Sequence, residues 1–257
     1  MNTNKTAILL VDDNDEILDF LEDDLGDKYT IFKAFDGREA LKVLSEEPIQ
    51  LVVSDVMMPE IDGFEFCKIV KSNFEYSHVP VILLTAKNTL QSKIEGLELG
   101  ADAYIEKPFS PEYLQVQIAN LLSNRNKIRE YFAKSPLVNI RTMAYSRADE
   151  SFLEKLNVVI RENISNINLD VEHLASYMNM SRPTLYRKIK AISNLTPNEL
   201  INVTRLKKAA ELLQEGKYKI YEISDMVGYS SQTHFGRNFS KQFGMSPSEY
   251  IAKKGDI

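Results

Sequence analysis

The 257 residues include one cysteine, Cys67, so no disulfide can form within the chain and no structural zinc site can rest on cysteines. That usage suits a reducing compartment and sets the expectation of a cytoplasmic protein. Long apolar runs are missing too: the longest extend for about five residues, far short of the roughly twenty that a membrane-spanning helix needs. The opening stretch, MNTNKTAILLVDD, ends its apolar run in acid and has no small-residue cleavage site, so no secretory signal is expected. Met1 is read either as a natural start or as a boundary within a longer polypeptide. No Gly-x-x-x-x-Gly-Lys loop occurs, which argues against an ATP-driven activator. No stretch is of low complexity.

What is present suffices for real cores. Hydrophobic residues make up 44% of the chain, and its length allows one or two domains. The net charge of −6 hides an asymmetry. Residues 1–122 carry 10 Lys and Arg against 23 Asp and Glu, whereas residues 123–257 carry 21 against 14. An acidic half joined to a basic half points to two domains with different partners, the basic one suited to nucleic acid or another anionic surface.

The acidic half alternates two patterns. Short apolar runs at Ala7–Val11, Tyr29–Phe35, Ile49–Ser54, Val79–Thr85 and Ala103–Ile105 predict strands. Stripes at helical spacing lie between them: Ile17, Leu21 and Leu25; Ala40, Val43 and Leu44; Phe66, Ile69 and Val70; and a weaker one at Ile94, Leu97 and Glu98. A fifth helix opens at Ser110-Pro111-Glu112, with Ser at the cap, Pro at the first helical position and Glu facing the positive end. Five such units predict a doubly wound, five-stranded parallel sheet with helices on both faces, whose sites lie beyond the carboxyl ends of the strands.

Polar residues gather at those ends. Asp12 and Asp13 follow the first strand, Asp55 ends the third, Thr85 the fourth, and Lys107-Pro108 follows the fifth. Three carboxylates in one pocket call for a cation, and all-oxygen ligands suit Mg²⁺. Lys107 adds a positive charge, and the remaining room fits a phosphoryl group. Taken singly, an Asp-Asp pair is an ordinary helix cap and "MMPEIDG" an ordinary turn; their order along successive strand ends sets them apart.

Residues 5–123 resemble the receiver domain of two-component response regulators, a flavodoxin-like fold. The resemblance implies that Asp55 is the phosphoacceptor. It implies that Asp12, Asp13, Asp55 and the main-chain carbonyl of Met57 hold Mg²⁺, and that Lys107 pairs with the acyl phosphate. Thr85 would turn its hydroxyl to a phosphoryl oxygen and Tyr104 would be the coupled switch. The Lys107–Pro108 bond is expected to be cis. Met57 and Lys87 would flank the approach of attacking water. The implied phosphodonor is a histidine kinase, and His78, His173 and His234 do not supply its histidine.

Residues 124–150 read as a helical extension and linker: one helix could run from 111 to about 135 through Leu114, Ile118, Ile128 and Phe132, stopped by Ser135-Pro136. A helix follows from Asp149 or Ser151. The basic half then repeats itself at an offset of 50 residues, "LYRKIKAISNLTPNEL" (185–200) against "FGRNFSKQFGMSPSEY" (235–250). Arg187 falls on Arg237, and Thr196-Pro197-x-Glu199 on Ser246-Pro247-x-Glu249; both tetrads predict capping boxes with Pro at the first helical position. Each copy predicts a short helix, a tight turn at Asn179 or Gly228, and a second helix, which is the helix-turn-helix plan. A helix from Pro197 to about Gln214 joins the copies, with Leu206, Ala210 and Leu213 inward.

Residues 151–257 thus predict an all-α domain with two helix-turn-helix units, and they resemble the AraC-type DNA-binding domain. The reading helices would be Arg182–Ala191 and Gln232–Gln242. Base-facing side chains would be Pro183, Tyr186 and Arg187 in the first, and Gln232, Thr233 and Arg237 in the second, with Arg suited to guanine and Gln to adenine. Arg182, Lys188, Lys190 and Lys241 would meet phosphates. For each basic residue the bland alternative is a solvated helix face, and Leu185, Ile189, Phe235 and Phe239 read as core.

Together the halves predict a phosphorylation-dependent transcriptional regulator that binds double-stranded DNA, forms a homodimer when phosphorylated, makes no membrane contact and is not a turnover enzyme. The same pattern resembles the cytoplasmic part of hybrid two-component sensors, whose kinase lies upstream in one polypeptide. An Asp-nucleophile phosphatase would place Asp-x-Asp after the first strand, where this chain has Asp-Asp-Asn. An adaptor whose basic half binds protein is the remaining alternative.

Overall fold

The computed structural model describes residues 5–86, 96, 98–134 and 140–253. The chain divides into two compact units, Met1–Lys127 with Tyr145–Asp149, and Ile128–Ala144 with Glu150–Ile257. Of the fourth stripe only Glu98 is described; Ile94 and Leu97 lie outside the described residues, as do Lys87 and Ser135-Pro136.

In the first unit, β1 (Ala7–Val11), β2 (Thr30–Ala34), β3 (Leu51–Asp55), β4 (Val81–Thr85) and β5 (Ala103–Glu106) form one parallel sheet in the order β2-β1-β3-β4-β5. Side chains alternate across a strand, so each run feeds two cores. Leu9, Val11, Val52 and Leu83 pack with Ala40 and Leu44 of α2 (Gly37–Glu46) and Phe66 and Val70 of α3 (Gly63–Ser72). Ile8, Leu10, Val53 and Leu84 pack with Leu18, Leu21 and Leu25 of α1 (Asp15–Leu25) and Leu114 and Ile118 of α4 (Pro111–Lys134). Cover on both faces is why the strands read as unbroken apolar runs.

The helices of this unit start on side-chain caps. Asn14, Asp36 and Asp62 accept hydrogen bonds from the backbone N–H groups of Glu16, Glu39 and Glu65. Neither member of the Asp12-Asp13 pair is the cap of α1; the next residue is. Ser110 Oγ accepts from the Tyr113 backbone at 3.2 Å, and α4 runs unbroken to Lys134.

At the amino ends of β4 and β5 lies a buried charge cluster that sequence spacing does not announce. Lys71 Nζ donates to Asp102 Oδ2 at 2.6 Å and to the Val79 carbonyl at 2.8 Å. Arg125 Nη2 donates to the other Asp102 oxygen at 2.8 Å, and its Nη1 to the His78 carbonyl. Tyr145 covers the Arg125 guanidinium, 4.1 Å from its ring centroid. Ser77 donates to Asp149 at 2.7 Å, both fully buried. Residues 145–149, part of the expected linker, therefore pack as part of this unit, and the following helix begins at Arg147, two residues before the earlier predicted start.

Burial, the largest influence on the Asp102 carboxyl, would raise its pKa, but Lys71 and Arg125 outweigh it and hold the group below the ordinary value. A depressed folded value means that the unfolded chain takes up the proton first as pH falls. The stability contributed by this carboxylate is therefore present above the ordinary pKa of about 3.9 and is lost as pH drops below it. Urea unfolding of the first unit at stepped pH is expected to show the midpoint declining below about pH 4; Asp102→Asn should flatten that decline.

The second unit is helical: α5 (Arg147–Glu162), α6 (Val171–Met178), α7 (Arg182–Ser193), α8 (Pro197–Glu215), α9 (Ile220–Met226), α10 (Gln232–Phe243) and α11 (Pro247–Ala252). It holds two cores. Phe152, Leu156, Leu174, Leu185, Ile189 and Leu200 define one; Leu206, Leu213, Ile223, Phe235 and Phe239 define the other. Helix α8, of 19 residues and so about 28 Å long, contributes to both and holds the two repeats on one strut. Ile140 and Met143, in a short 3₁₀ turn, add to the first core. Both predicted capping boxes form, at Thr196/Glu199 and Ser246/Glu249, each with Pro in the first turn. The predicted tight turns are left-handed, at Asn179 (φ 54°) and Gly228 (φ 75°).

Candidate functional site

The topology brings the ends of β1, β3 and β5 together because β1 and β3 are neighbours and β4 alone separates β3 from β5. Asp12 is 2% exposed and Asp55 5% exposed, so their charges have little water to lean on. Lys107 supplies the compensation: its Nζ lies 2.9 Å from Asp12 Oδ2 and 2.7 Å from Asp55 Oδ1. The remaining oxygens are also held. Asp12 Oδ1 accepts from the Asn14 N–H at 3.0 Å, and Asp55 Oδ2 from the Met57 N–H at 2.9 Å. The Lys107 backbone donates to the Thr85 carbonyl at 2.7 Å, and the Lys107–Pro108 bond is cis, as expected.

Burial pushes the Asp55 carboxyl up, against the opposing pull of Lys107. Burial alone would lower the Lys107 ammonium, but its bonds to Asp12 and Asp55 outweigh that and raise it. Two buried carboxylates against one ammonium leave surplus negative charge. Asp13 adds to it from an exposed position at the rim. Among the described residues, no three acidic, histidine or cysteine side chains gather as a metal cluster; Asp12 and Asp55 meet through Lys107 instead. Thr85 is fully buried at the end of β4. Tyr104 is half-buried against the α2/α3 side of the sheet and lines an open surface pocket with Glu106, Pro108, Phe109 and Tyr113. Sequence reasoning assigned Met57 through its carbonyl; its N–H, which holds Asp55, was missed, and no side-chain pattern encodes it.

In the second unit α7 and α10 are capped alike, by Ser181 and Ser231. Arg182, Pro183, Tyr186, Arg187, Lys190, Gln232, Thr233 and Arg237 are all exposed. Arg182 pairs with Glu172 of α6 at 2.6 Å, and Lys190 donates to the Asn194 carbonyl at the end of α7 at 2.7 Å, so two of these cations are partly engaged within the protein. Lys188 departs from expectation: it is 1% exposed, with its ammonium 5.4 Å from the Phe152 ring centroid. It cannot meet a phosphate from there. Its spacing to Leu185 and Ile192 already placed it on the buried stripe. Leu185, Ile189, Phe235 and Phe239 are core, as expected.

Residues 8–119 match the family described as the response regulator receiver domain, and residues 174–253 match a helix-turn-helix domain. The chain joins a receiver domain to an AraC-type helix-turn-helix domain. It is similar to "Histidine kinase P4" of Formosa agariphila, 39% identical over 96% of this chain and 18% of that protein. It is also similar to "Probable transcriptional regulator ycf27" of Cyanophora paradoxa, 45% identical over 48% of this chain and 50% of that protein. The chain thus spans about a fifth to a half of the length of these curated relatives. Among solved structures, the chemotaxis protein CheY4 of Vibrio cholerae aligns at 35% identity over 46% of this chain and 99% of its own, with a TM-score of 0.44. The Asp12–Lys107–Asp55 cluster lies within the receiver, and the exposed faces of α7 and α10 lie within the helix-turn-helix domain. Among the described residues no helix is long and apolar enough to cross a membrane.

Proposed function

We propose that the chain is the regulatory output of a two-component system: Asp55 takes a phosphoryl group from a histidine kinase, and the helix-turn-helix domain binds promoter DNA in the cytoplasm. The observation that carries this is Asp55 buried at a strand end and bonded to Lys107, in a chain that also presents two capped, exposed reading helices. In the transfer, an Asp55 carboxylate oxygen bonds to phosphorus as the phosphorus–nitrogen bond of a phosphohistidine breaks and the imidazole leaves. Lys107 faces the charge that builds on the phosphoryl oxygens. Asp12, Asp13, Asp55 and the Met57 carbonyl would hold Mg²⁺, since their hard oxygens and surplus charge fit it, and the bound ion neutralises phosphoryl charge. Thr85 then turns its hydroxyl to a phosphoryl oxygen, Tyr104 follows, and a homodimer forms on paired DNA sites. No sustained turnover of phosphate esters is expected.

Beryllofluoride with magnesium tests the receiver half. Amide resonances around Asp12, Asp55 and Lys107 are expected to shift and the mass on gel filtration to double; unchanged spectra would sink the proposal. The 39% identity to a protein named as a histidine kinase supports a second arrangement, in which the phosphodonor lies in the same polypeptide as these residues.

For the DNA half, the first turns of α7 and α10 carry no carboxylate, whereas those of α6, α8, α9 and α11 do. Neither reading helix thus offsets its positive end with a carboxylate of its own first turn, although Glu172 of α6 pairs with Arg182 at the start of α7. Arg237→Ala is expected to cost about 1–3 kcal/mol of binding and to relax preference at one base position. Lys241→Ala should weaken all duplexes alike and reduce the salt slope by about 1. Fluorescence anisotropy across a salt series, on duplexes selected from a random pool, separates the two.

A further inference from the structure

Helix α10 carries a glycine in its interior, Gly236. Such a glycine costs about 1 kcal/mol relative to alanine and calls for a reason. One reason is a left-handed backbone; among the described residues the glycines with positive φ are Gly100, Gly216, Gly228 and Gly244, and Gly236 is not one of them. The other is crowding inside the protein. A Cβ at Gly63 would lie 2.2 Å from the Asp55 carbonyl oxygen, and one at Gly228 would lie 2.4 Å from that of Ile164. At Gly236 a Cβ would meet nothing within 4 Å among the described residues. Neither internal reason applies.

The position itself points outward. Gly236 stands one turn beyond Gln232 and Thr233 and next to Arg237, while Phe235 and Phe239 take the buried side. At the 50-residue offset of the repeat, its counterpart in α7 is Tyr186, 42% exposed. At this equivalent site the two reading helices differ, a protruding ring in one and bare backbone in the other.

We infer that Gly236 determines specificity by letting the backbone of α10 lie directly against the duplex, where a methyl group would hold it off, so that the second repeat seats more closely than the first. The inference rests on the DNA-binding reading above. Duplexes are selected from a random pool by the full chain, and binding of the full chain and its Gly236→Ala variant is then measured on them alongside urea unfolding. The variant is expected to bind roughly tenfold more weakly, the size of one lost base contact, with an unfolding midpoint equal to or above that of the unsubstituted chain. Equal binding with unchanged sequence preference would overturn the inference and leave DNA binding standing. A lowered midpoint would also overturn it, because the glycine would then serve the fold. Failure of the unsubstituted chain to select any duplex would overturn the DNA-binding reading and this inference together.

Discussion

Asp55→Asn is expected to abolish phosphoryl uptake altogether. Incubated with phosphoramidate and magnesium, the unsubstituted chain should acquire acid-labile phosphate visible by intact mass, and the variant none. The physical reason is that an amide matches the carboxylate in shape but lacks its nucleophilic oxygen. The fold should tolerate the change, because the Met57 N–H can still donate to the amide oxygen that replaces Asp55 Oδ2, and Lys107, which loses Asp55 Oδ1 as acceptor, keeps Asp12. Neither neighbouring carboxylate is expected to take its place: Asp12 shares Lys107 with Asp55, and Asp13 sits exposed at the rim. Undiminished labelling of the variant would move the nucleophile to one of them. Circular dichroism of the variant, unchanged, would show that the loss is chemical.

Asp102→Ala is expected to give the largest loss of stability in the first unit. The side chains of Lys71 and Arg125 are 7% and 6% exposed, and Asp102 is the carboxylate that faces both. Removing it leaves two positive charges facing each other with little solvent. Breaking a buried pair in this way costs about 3–5 kcal/mol. Lys71 is already held below its ordinary pKa by burial, so part of the cost should be relieved by loss of its proton, and the variant should recover somewhat as pH rises. The measurement is urea unfolding of the first unit by backbone circular dichroism. An unchanged midpoint would mean that water reaches the cluster and screens it. Lys71→Met combined with Asp102→Ala should lose less than Asp102→Ala alone, since it leaves one cation unpaired and not two.

Much of this molecule could be read from residue order. Strand ends could be placed because each apolar run stops at a charged or hydroxyl residue, and the parallel order followed from the helices between the runs. Asp12, Asp55 and Lys107 could be named together although 95 residues separate the first from the last, because a doubly wound sheet sends every strand's carboxyl end to the same edge. The capping boxes at Thr196 and Ser246 were legible for a simpler reason: a cap is a contact between residues three apart. Lys188 was misread because its charge was weighed above its position on the buried stripe; its long stem is what lets a lysine sit there beside Phe152.

Local spacing by itself determined the elements, their caps and turns, and which edge of the sheet collects acid, because those depend on neighbours within a few residues and on a connection rule that has few exceptions. Tertiary structure alone decided how the charges are matched. That Lys107 bridges both buried carboxylates, that Asp102 serves Lys71 and Arg125 at once, and that none of the described residues fills the space beside Gly236 depend on distances between residues far apart in sequence. Those distances are fixed only when the cores pack.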